Sequence, residues 1–146
     1  LLVLMLSIAS FAQTINIGDT LPTITLQDQF EKTHTVSAES KTILVAFDKD
    51  ASDILKEFLL EKEGDFLTKN QTVYIGDISG MPSLISKFFA IPKMKKYPFS
   101  ILFLDDKHRE TFSKKEDMIS VYTLVDGKIE NLSHISTKEE LSKVFN

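Results

Sequence analysis

The stretch that decides the fold runs TILVAF over residues 42–47 and DKDASDILKEFLL over residues 48–60. Its first part is a continuous apolar run with β-branched residues, which is typical of a strand buried on both faces, as in a parallel sheet. Its second part predicts a helix with Asp50 as N-cap and Asp53 three residues later. The apolar stripe of that helix consists of Ile54, Leu55, Phe58 and Leu59. A buried strand that leads straight into an amphipathic helix indicates an α/β protein.

The alternation of strand and helix continues towards the C-terminus. Gly64 is predicted to end or bend the first helix. Residues 71–75 and 97–104 predict two further strands. Pro98 stands at the start of the second, where no backbone N–H is needed to bond a neighbouring strand. Between them, residues 82–89 predict a short helix whose apolar side chains face inward. Those side chains are Leu84, Ile85, Phe88 and Phe89.

Two hairpins are also predicted. Residues 23–26 and 34–36 alternate polar and apolar side chains on either side of a polar turn, which predicts a small N-terminal hairpin. Residues 118–125 and 128–134 flank Asp126-Gly127, the strongest short-range signal for a type I′ turn.

A helix is predicted to end the chain. It starts at Ser136 or Thr137, each of which has a Glu three residues later, and it buries Leu141, Val144 and Phe145. The complete order is hairpin, β, α, β, α, β, hairpin, α. This order predicts an α/β three-layer sandwich, in which helices flank a central mixed β-sheet.

Length and composition limit the possible functions. At 146 residues and 42% hydrophobic residues, the chain can bury the core of one domain. Its 17 basic and 21 acidic residues give a net charge of −4, whereas a nucleic-acid-binding protein needs an excess of Lys and Arg, so we expect no nucleic acid partner. The chain contains no cysteine, which excludes disulfides, thiolate nucleophiles, cysteine-ligated metals and a lipoprotein anchor.

The first twelve residues are nearly all apolar, and they end in Ser10-Phe11-Ala12. They fall short of the roughly 20 apolar residues that span a bilayer, and they match the apolar region and cleavage site of a signal peptide. We therefore predict a partial signal peptide over residues 1–12 and a single domain over residues 13–146. The mature chain is expected in a bacterial periplasm, without a membrane span. A buried N-terminal strand or an uncleaved anchor is the alternative.

Three stretches of the mature chain resemble a known family. They are IGDTLP at residues 17–22 with Thr25-Leu26, KTILVAF at residues 41–47 and LVDGKI at residues 124–129. Together they resemble the redoxin/peroxiredoxin-like branch of the thioredoxin superfamily. The missing cysteines, the leader and KKYPFS at residues 95–100 also look like the small periplasmic YtfJ-type proteins. The resemblance implies a thioredoxin-like fold with an N-terminal β-hairpin.

The resemblance also implies where a redox site would lie. In the family, the attacking cysteine begins the helix after the first buried strand; Ser52 holds that position here and Leu55 holds that of the resolving cysteine. A serine hydroxyl has a pKa far above that of a thiol, and a helix N-terminus cannot close the gap. We therefore predict neither thiol–disulfide exchange nor cysteine-based peroxidase activity. The family's cis-proline has no clear counterpart, because Pro98 begins one strand and Met118 opens another.

Polar residues follow the first two buried strands, where open α/β sheets bind their ligands. Capping of helices and turns is the alternative role for these residues. The favoured hypothesis is a binding or accessory module, without cofactor or metal, for another periplasmic protein or peptide. Its candidate binding face consists of Asp48, Asp50, Ser52, Asp77, Ser79, Met81, Pro82 and Met118. An oligomeric scaffold is a further possibility.

A second hypothesis starts from Asp48-Lys49-Asp50, which resembles the Asp-x-Asp signature of haloacid-dehalogenase-like phosphatases. The first aspartate would attack phosphorus and the second would protonate the leaving group. Ser79 would hold a phosphate oxygen, one of Lys93, Lys95 and Lys96 would neutralise charge, and Asp105-Asp106 would bind Mg²⁺. Because a helix follows Asp50 where that family has an insertion, the phosphatase stays the alternative.

Overall fold

A computed structural model describes residues 14–146; the predicted signal peptide lies outside the described residues. The strands are β1 Ile24–Gln27, β2 Thr33–Val36, β3 Thr42–Ala46, β4 Thr72–Gly76, β5 Leu102–Phe103, β6 Ile119–Val125 and β7 Lys128–Ile135. The helices are α1 Lys49–Leu60, α2 Phe66–Lys69, α3 over residues 83–94, and α4 Lys138–Val144. A short 3₁₀ turn covers Asp106–His108.

The predicted mixed sheet is confirmed, with the strand order β5-β4-β3-β6-β7. β3 pairs with β4 in parallel and with β6 antiparallel, and β5 adds to β4 in parallel. All five residues of β3 are buried, as its continuous apolar run predicts. β1 and β2 form the separate N-terminal hairpin.

The sheet has an apolar core on each face. Ile43 and Val45 of β3 point into a core shared with the N-terminal hairpin, whereas Leu44 and Ala46 point into a core shared with α1, α2 and α4. This alternation follows from the two-residue period of a strand. The hairpin and the helices thus form the two layers that cover the sheet.

The β6–β7 turn has the predicted conformation. Asp126 and Gly127 both have positive φ values, of 49° and 78°, as a type I′ turn requires. A Cβ atom at position 127 would also lie 2.7 Å from the Cβ atom of Ala38, so this turn needs glycine for space as well as for conformation.

The prediction for α1 needs local correction at its N-cap, its end and its buried face. The N-cap of α1 is Asp48 rather than Asp50, because Asp48 has extended backbone and its carboxylate accepts a hydrogen bond from the Ala51 N–H at 3.0 Å. Asp50 lies in the first turn. The helix ends at Leu60, before Gly64, and its fully buried face includes Ala51 in place of Ile54.

The strand predicted over residues 97–104 is much shorter in the structure. Only Leu102–Phe103 pairs with β4. The preceding backbone is held instead by the Gln29 side chain, whose amide accepts from the Ile101 N–H at 2.8 Å and donates to the Phe99 carbonyl at 2.7 Å. A side chain from the hairpin has taken the bonding groups that a longer ladder would use.

The prediction that the apolar residues of α3 face inward is wrong. Leu84, Ile85, Phe88 and Phe89 are 69%, 48%, 61% and 71% exposed, respectively. Ser86 is the buried residue of the helix, and its hydroxyl donates within the helix to the carbonyls of Pro82 and Ser83. A period of 3.6 residues predicts that an apolar stripe exists, but no element within residues 14–146 buries this one.

α3 also extends beyond its predicted end at Phe89. Its middle turn, Ser86–Ala90, is a π-helix, and α-helical backbone resumes over Ile91–Met94. Pro92 explains the wider turn, because proline lacks an N–H and its ring crowds the carbonyl four residues earlier. None of the described helices is both long and apolar enough to cross a membrane.

Candidate functional site

A cleft of about 460 Å³ opens at the carboxyl ends of β3 and β4, between the start of α1 and the end of α3. Its wall combines apolar and aromatic side chains with a charged rim, which is the usual composition of a binding cavity. The apolar wall consists of Phe47, Tyr74, Ile78, Met81, Ala90, Met94, Tyr97, Phe99 and Ile101. The charged rim consists of Asp48, Lys49, Asp53, Lys56, Asp77 and Lys93.

The structure brings half of the predicted face into this cleft. Asp48, Ser52, Asp77 and Met81 line it. The other four, Asp50, Ser79, Pro82 and Met118, lie outside its wall. Asp50, Ser79 and Pro82 are exposed and Met118 is half-buried.

Two of the three aspartates that line the cleft, Asp48 and Asp77, also hold backbone groups. Asp48 caps α1 through one carboxylate oxygen and accepts the Asp117 N–H at 2.8 Å through the other. Asp77 accepts the Ser79 N–H at 2.9 Å, which fixes the turn after β4. Asp77 therefore has the turn-forming role that was weighed above, whereas the helix-capping role predicted for Asp50 belongs to Asp48. These bonds shape the mouth of the cleft.

Asp117 joins Asp48 and Asp50 in a small acidic group beside the cleft. Desolvation, then a hydrogen bond with the Asp50 carboxyl and the negative charges nearby, raise the pKa of Asp117 above its usual value. Its φ of 61° is in the left-handed region, which aspartate tolerates better than most residues. No pattern in the sequence placed Asp117 here, because it precedes β6, far along the chain from α1.

An aromatic row forms the inner wall of the cleft. The rings of Tyr97 and Phe99 stack at 5.3 Å, and those of Tyr74 and Phe99 stack at 6.3 Å. All three residues lie in stretches that the sequence predicts as strands, and no pattern placed them in a cleft. The one sequence feature that could have indicated a binding surface here is the aromatic Tyr97 next to Lys95 and Lys96.

The floor of the cleft contains two hydroxyl side chains. Tyr74 is buried, and this burial raises the pKa of its phenol to about 12, while a hydrogen bond with Ser52 opposes the shift. Tyr74 is therefore a neutral hydrogen-bonding group at physiological pH. Ser52, at the position that the resemblance gives to the attacking cysteine, opens into the cleft, whereas Leu55 is fully buried in the helix-side core.

Ion pairs organise one side of the rim. The Lys49 ammonium lies 2.6 Å from Asp53, and Lys56 lies 3.7 Å from the same carboxylate. The hydrogen bond from Lys49 lowers the pKa of Asp53 against a smaller opposing effect of burial. The rim therefore presents both signs of charge around an apolar interior.

The geometry does not assemble the phosphatase site. Both carboxylate oxygens of Asp48 accept backbone hydrogen bonds, and Asp105 caps the 3₁₀ turn and bonds the His108 ring at 2.7 Å. Asp105 lines a different cavity from Asp48. Among the described residues, no group of three or more acidic or histidine side chains is arranged to hold a metal ion.

That other cavity, of about 590 Å³, lies between the N-terminal hairpin, α3 and β5. None of the eight residues of the predicted binding face lines it, whereas Lys95 and Asp105 of the phosphatase hypothesis do. Hairpin residues such as Thr25, Gln27 and Thr33 form much of its wall. The 460 Å³ cleft is the better candidate because it lies at the carboxyl ends of parallel strands and has the aromatic wall.

No family model and no curated protein matches the sequence. Solved structures do. Peroxidoxin BcpB from Mycobacterium tuberculosis has a TM-score of 0.57 at 14% identity, over 90% of this chain and 94% of that chain. The thioredoxin domain of a thiol-disulfide oxidoreductase from Bacteroides vulgatus has a TM-score of 0.54 at 16% identity, over 91% of this chain and 100% of that chain. A peroxiredoxin-like protein from Aquifex aeolicus has a TM-score of 0.50 at 10% identity, over 90% of this chain and 86% of that chain. The predicted thioredoxin-like fold is confirmed, in a chain without cysteine.

Proposed function

We propose that this cysteine-free thioredoxin-fold chain is a binding module without redox activity, whose cleft holds a segment of another protein or a peptide. The observation that carries the proposal is the aromatic-walled cleft of about 460 Å³, into which Ser52 opens in place of a thiol. A serine there cannot form a mixed disulfide, so any partner is held by non-covalent contacts alone.

The composition of the cleft indicates which segment it would hold. The aromatic row and Met81 favour an apolar side chain inserted between α1 and α3, because desolvated aromatic pockets are where binding energy concentrates. The Asp77 carboxylate and the Lys93 ammonium at the rim favour polar or charged residues on either side of that anchor. Ser52 and Tyr74 offer hydroxyls to a backbone or side-chain partner.

A photocrosslinking residue placed at Met81 tests this proposal in cells. We expect it to capture a discrete protein or peptide, and we expect Asp77→Lys to reduce the yield strongly by reversing a rim charge. The matched controls are a crosslinker at the exposed Val125 and the exposed Glu130→Lys, both on the β6–β7 hairpin. Equal capture from positions 81 and 125, or full capture by the Asp77→Lys variant, would refute the cleft as the binding site.

We also propose that the module acts in a bacterial periplasm. The apolar residues 1–12 and Ser10-Phe11-Ala12 support export. Because the predicted signal peptide is partial, the test adds a Met-Lys-Lys start before residue 1 and compares this full sequence with a version starting at Gln13 by cell fractionation. Export of the full sequence alone is the expected result, and recovery of both in the cytoplasm would contradict it.

A further inference from the structure

α3 carries an apolar face that no other described residue covers. Leu84, Ile85, Phe88 and Phe89 are each about half exposed or more, and they are neighbours on two successive turns. None of them lines the cleft or the larger cavity. Monomeric proteins rarely expose a contiguous apolar patch of this kind without a use for it.

The same segment is strongly basic within an acidic protein. Residues 78–104 contain no Asp or Glu but contain Lys87, Lys93, Lys95 and Lys96, so the chain's excess of acids lies entirely elsewhere. All four lysines are exposed, and none of them is in an ion pair in the part of the chain that the structure describes. Lys87 lies over the ring of Phe88 at 5.7 Å, next to the apolar patch.

We propose that this face, Leu84–Ile85 and Phe88–Phe89 with the flanking lysines, docks the protein peripherally on an anionic phospholipid surface. Charge complementarity is the reason for this occupant: Lys87 lies over the Phe88 ring, three more exposed lysines follow along the segment, and a basic segment with protruding Phe and Leu side chains suits anionic lipid headgroups above acyl chains. The helical backbone of α3 satisfies its own polar groups, so partial immersion leaves few of them without a partner.

The proposal does not depend on what the cleft binds. Of the four lysines, Lys93 also lines the cleft, so the test leaves it unchanged. The charge variant is Lys87→Gln/Lys95→Gln/Lys96→Gln, and the apolar variant is Phe88→Ser/Phe89→Ser. The matched controls are Lys41→Gln/Lys128→Gln/Lys143→Gln and Ile17→Ser/Val125→Ser, all at exposed positions away from α3.

Co-sedimentation of residues 13–146 with vesicles measures the docking. We expect binding to phosphatidylcholine vesicles that contain phosphatidylglycerol, weak binding to phosphatidylcholine alone, and a loss of binding as salt rises. Each lysine contributes about fivefold to the partition coefficient, so the charge variant should lose about a hundredfold. Each phenylalanine should contribute about tenfold or more. Both control variants should bind like the wild type.

Three results would overturn the proposal. One is no sedimentation with phosphatidylglycerol vesicles even at low salt, and another is an equal loss of binding in the control variants. The third is a self-association, or capture of a soluble protein, that disappears in Phe88→Ser/Phe89→Ser while vesicles are not bound. This third result would assign the face to a second copy or to a protein partner. Thermal melts check that the variants remain folded, which is expected because every substituted side chain is exposed.

Discussion

Replacing Gln29 with alanine is expected to remove a large part of the stability of this protein. Gln29 is 1% exposed, and its side-chain amide ties the N-terminal hairpin to the segment between α3 and β5. It accepts from the Ile101 N–H at 2.8 Å and donates to the carbonyls of Phe99, at 2.7 Å, and Met94, at 3.2 Å. Because this segment forms a wall of the cleft, Gln29 also supports the candidate site from outside it.

The magnitude follows from the groups that Gln29→Ala would leave without partners. The bonds to Phe99 and Ile101 are buried, and an unsatisfied buried backbone group costs about 1–3 kcal/mol. The bond to Met94 is only partly buried and costs less. We therefore expect a loss of about 3–5 kcal/mol, against a typical total of about 5–15 kcal/mol. For a domain of this size, that corresponds to a melting temperature lower by about 10–20 °C.

Urea denaturation followed by far-UV circular dichroism measures this loss, since the chain has no tryptophan for fluorescence. Gln29→Glu is expected to be destabilised as well, because a carboxylate still accepts from Ile101 but cannot donate to the two carbonyls. Gln27→Ala, at an exposed position of β1, is the control and should change the free energy of unfolding by less than about 0.5 kcal/mol. The reasoning would be refuted if Gln29→Ala lowered the free energy of unfolding by less than about 1 kcal/mol while its slope against urea concentration stayed unaltered.

Three further predictions concern carboxylates. Asp48→Ala is expected to cost about 1–3 kcal/mol in urea denaturation, because it removes the cap of α1 and the bond from the Asp117 N–H, whereas Asp48→Asn should cost less. Burial alone would raise the pKa of Asp28, but hydrogen bonds from His34 and two backbone N–H groups outweigh it and lower the pKa below its usual value. The stability that the ionised Asp28 contributes is therefore present above about pH 4 and is lost as pH falls through the folded-state pKa. In Asp28→Asn, the free energy of unfolding should decrease less between pH 4 and lower pH than it does in the wild type. Desolvation and neighbouring carboxylates raise the pKa of Asp117, so its ionisation opposes folding at neutral pH. Asp117→Asn should raise the melting temperature at pH 7 and leave it nearly unchanged near pH 3.

Matched controls separate these effects from general changes of charge. Asp65 occupies the N-cap position of α2 without a side-chain cap bond, so Asp65→Ala should have little effect where Asp48→Ala has a large one. Glu130→Gln, at an exposed position of β7, serves both pH experiments. A loss for Asp65→Ala equal to that for Asp48→Ala would contradict the capping argument. The Asp28 argument would be contradicted if Asp28→Asn lost as much stability at low pH as the wild type does. The Asp117 argument would be contradicted if Asp117→Asn had a lower melting temperature than the wild type at pH 7.

Local patterns were sufficient for much of the fold. The apolar run at residues 42–47, the two-residue turn Asp126-Gly127 and the capped terminal helix each predict their element, because strand period, turn conformation and capping depend on residues close in sequence. The same patterns placed Asp48, Ser52, Asp77 and Met81 near one another, since the carboxyl ends of β3 and β4 meet at one edge of the sheet.

The sequence by itself thus determined the order of the elements other than the short helix α2, the absence of thiol chemistry and the region of the candidate site. Only the tertiary structure decided that Gln29 holds the backbone near Phe99 and that Asp117 joins the acidic group, because these contacts link distant parts of the chain. It also decided that the apolar stripe of α3 faces outward. A helical period reports that a stripe exists, whereas its burial depends on whether another element packs against it.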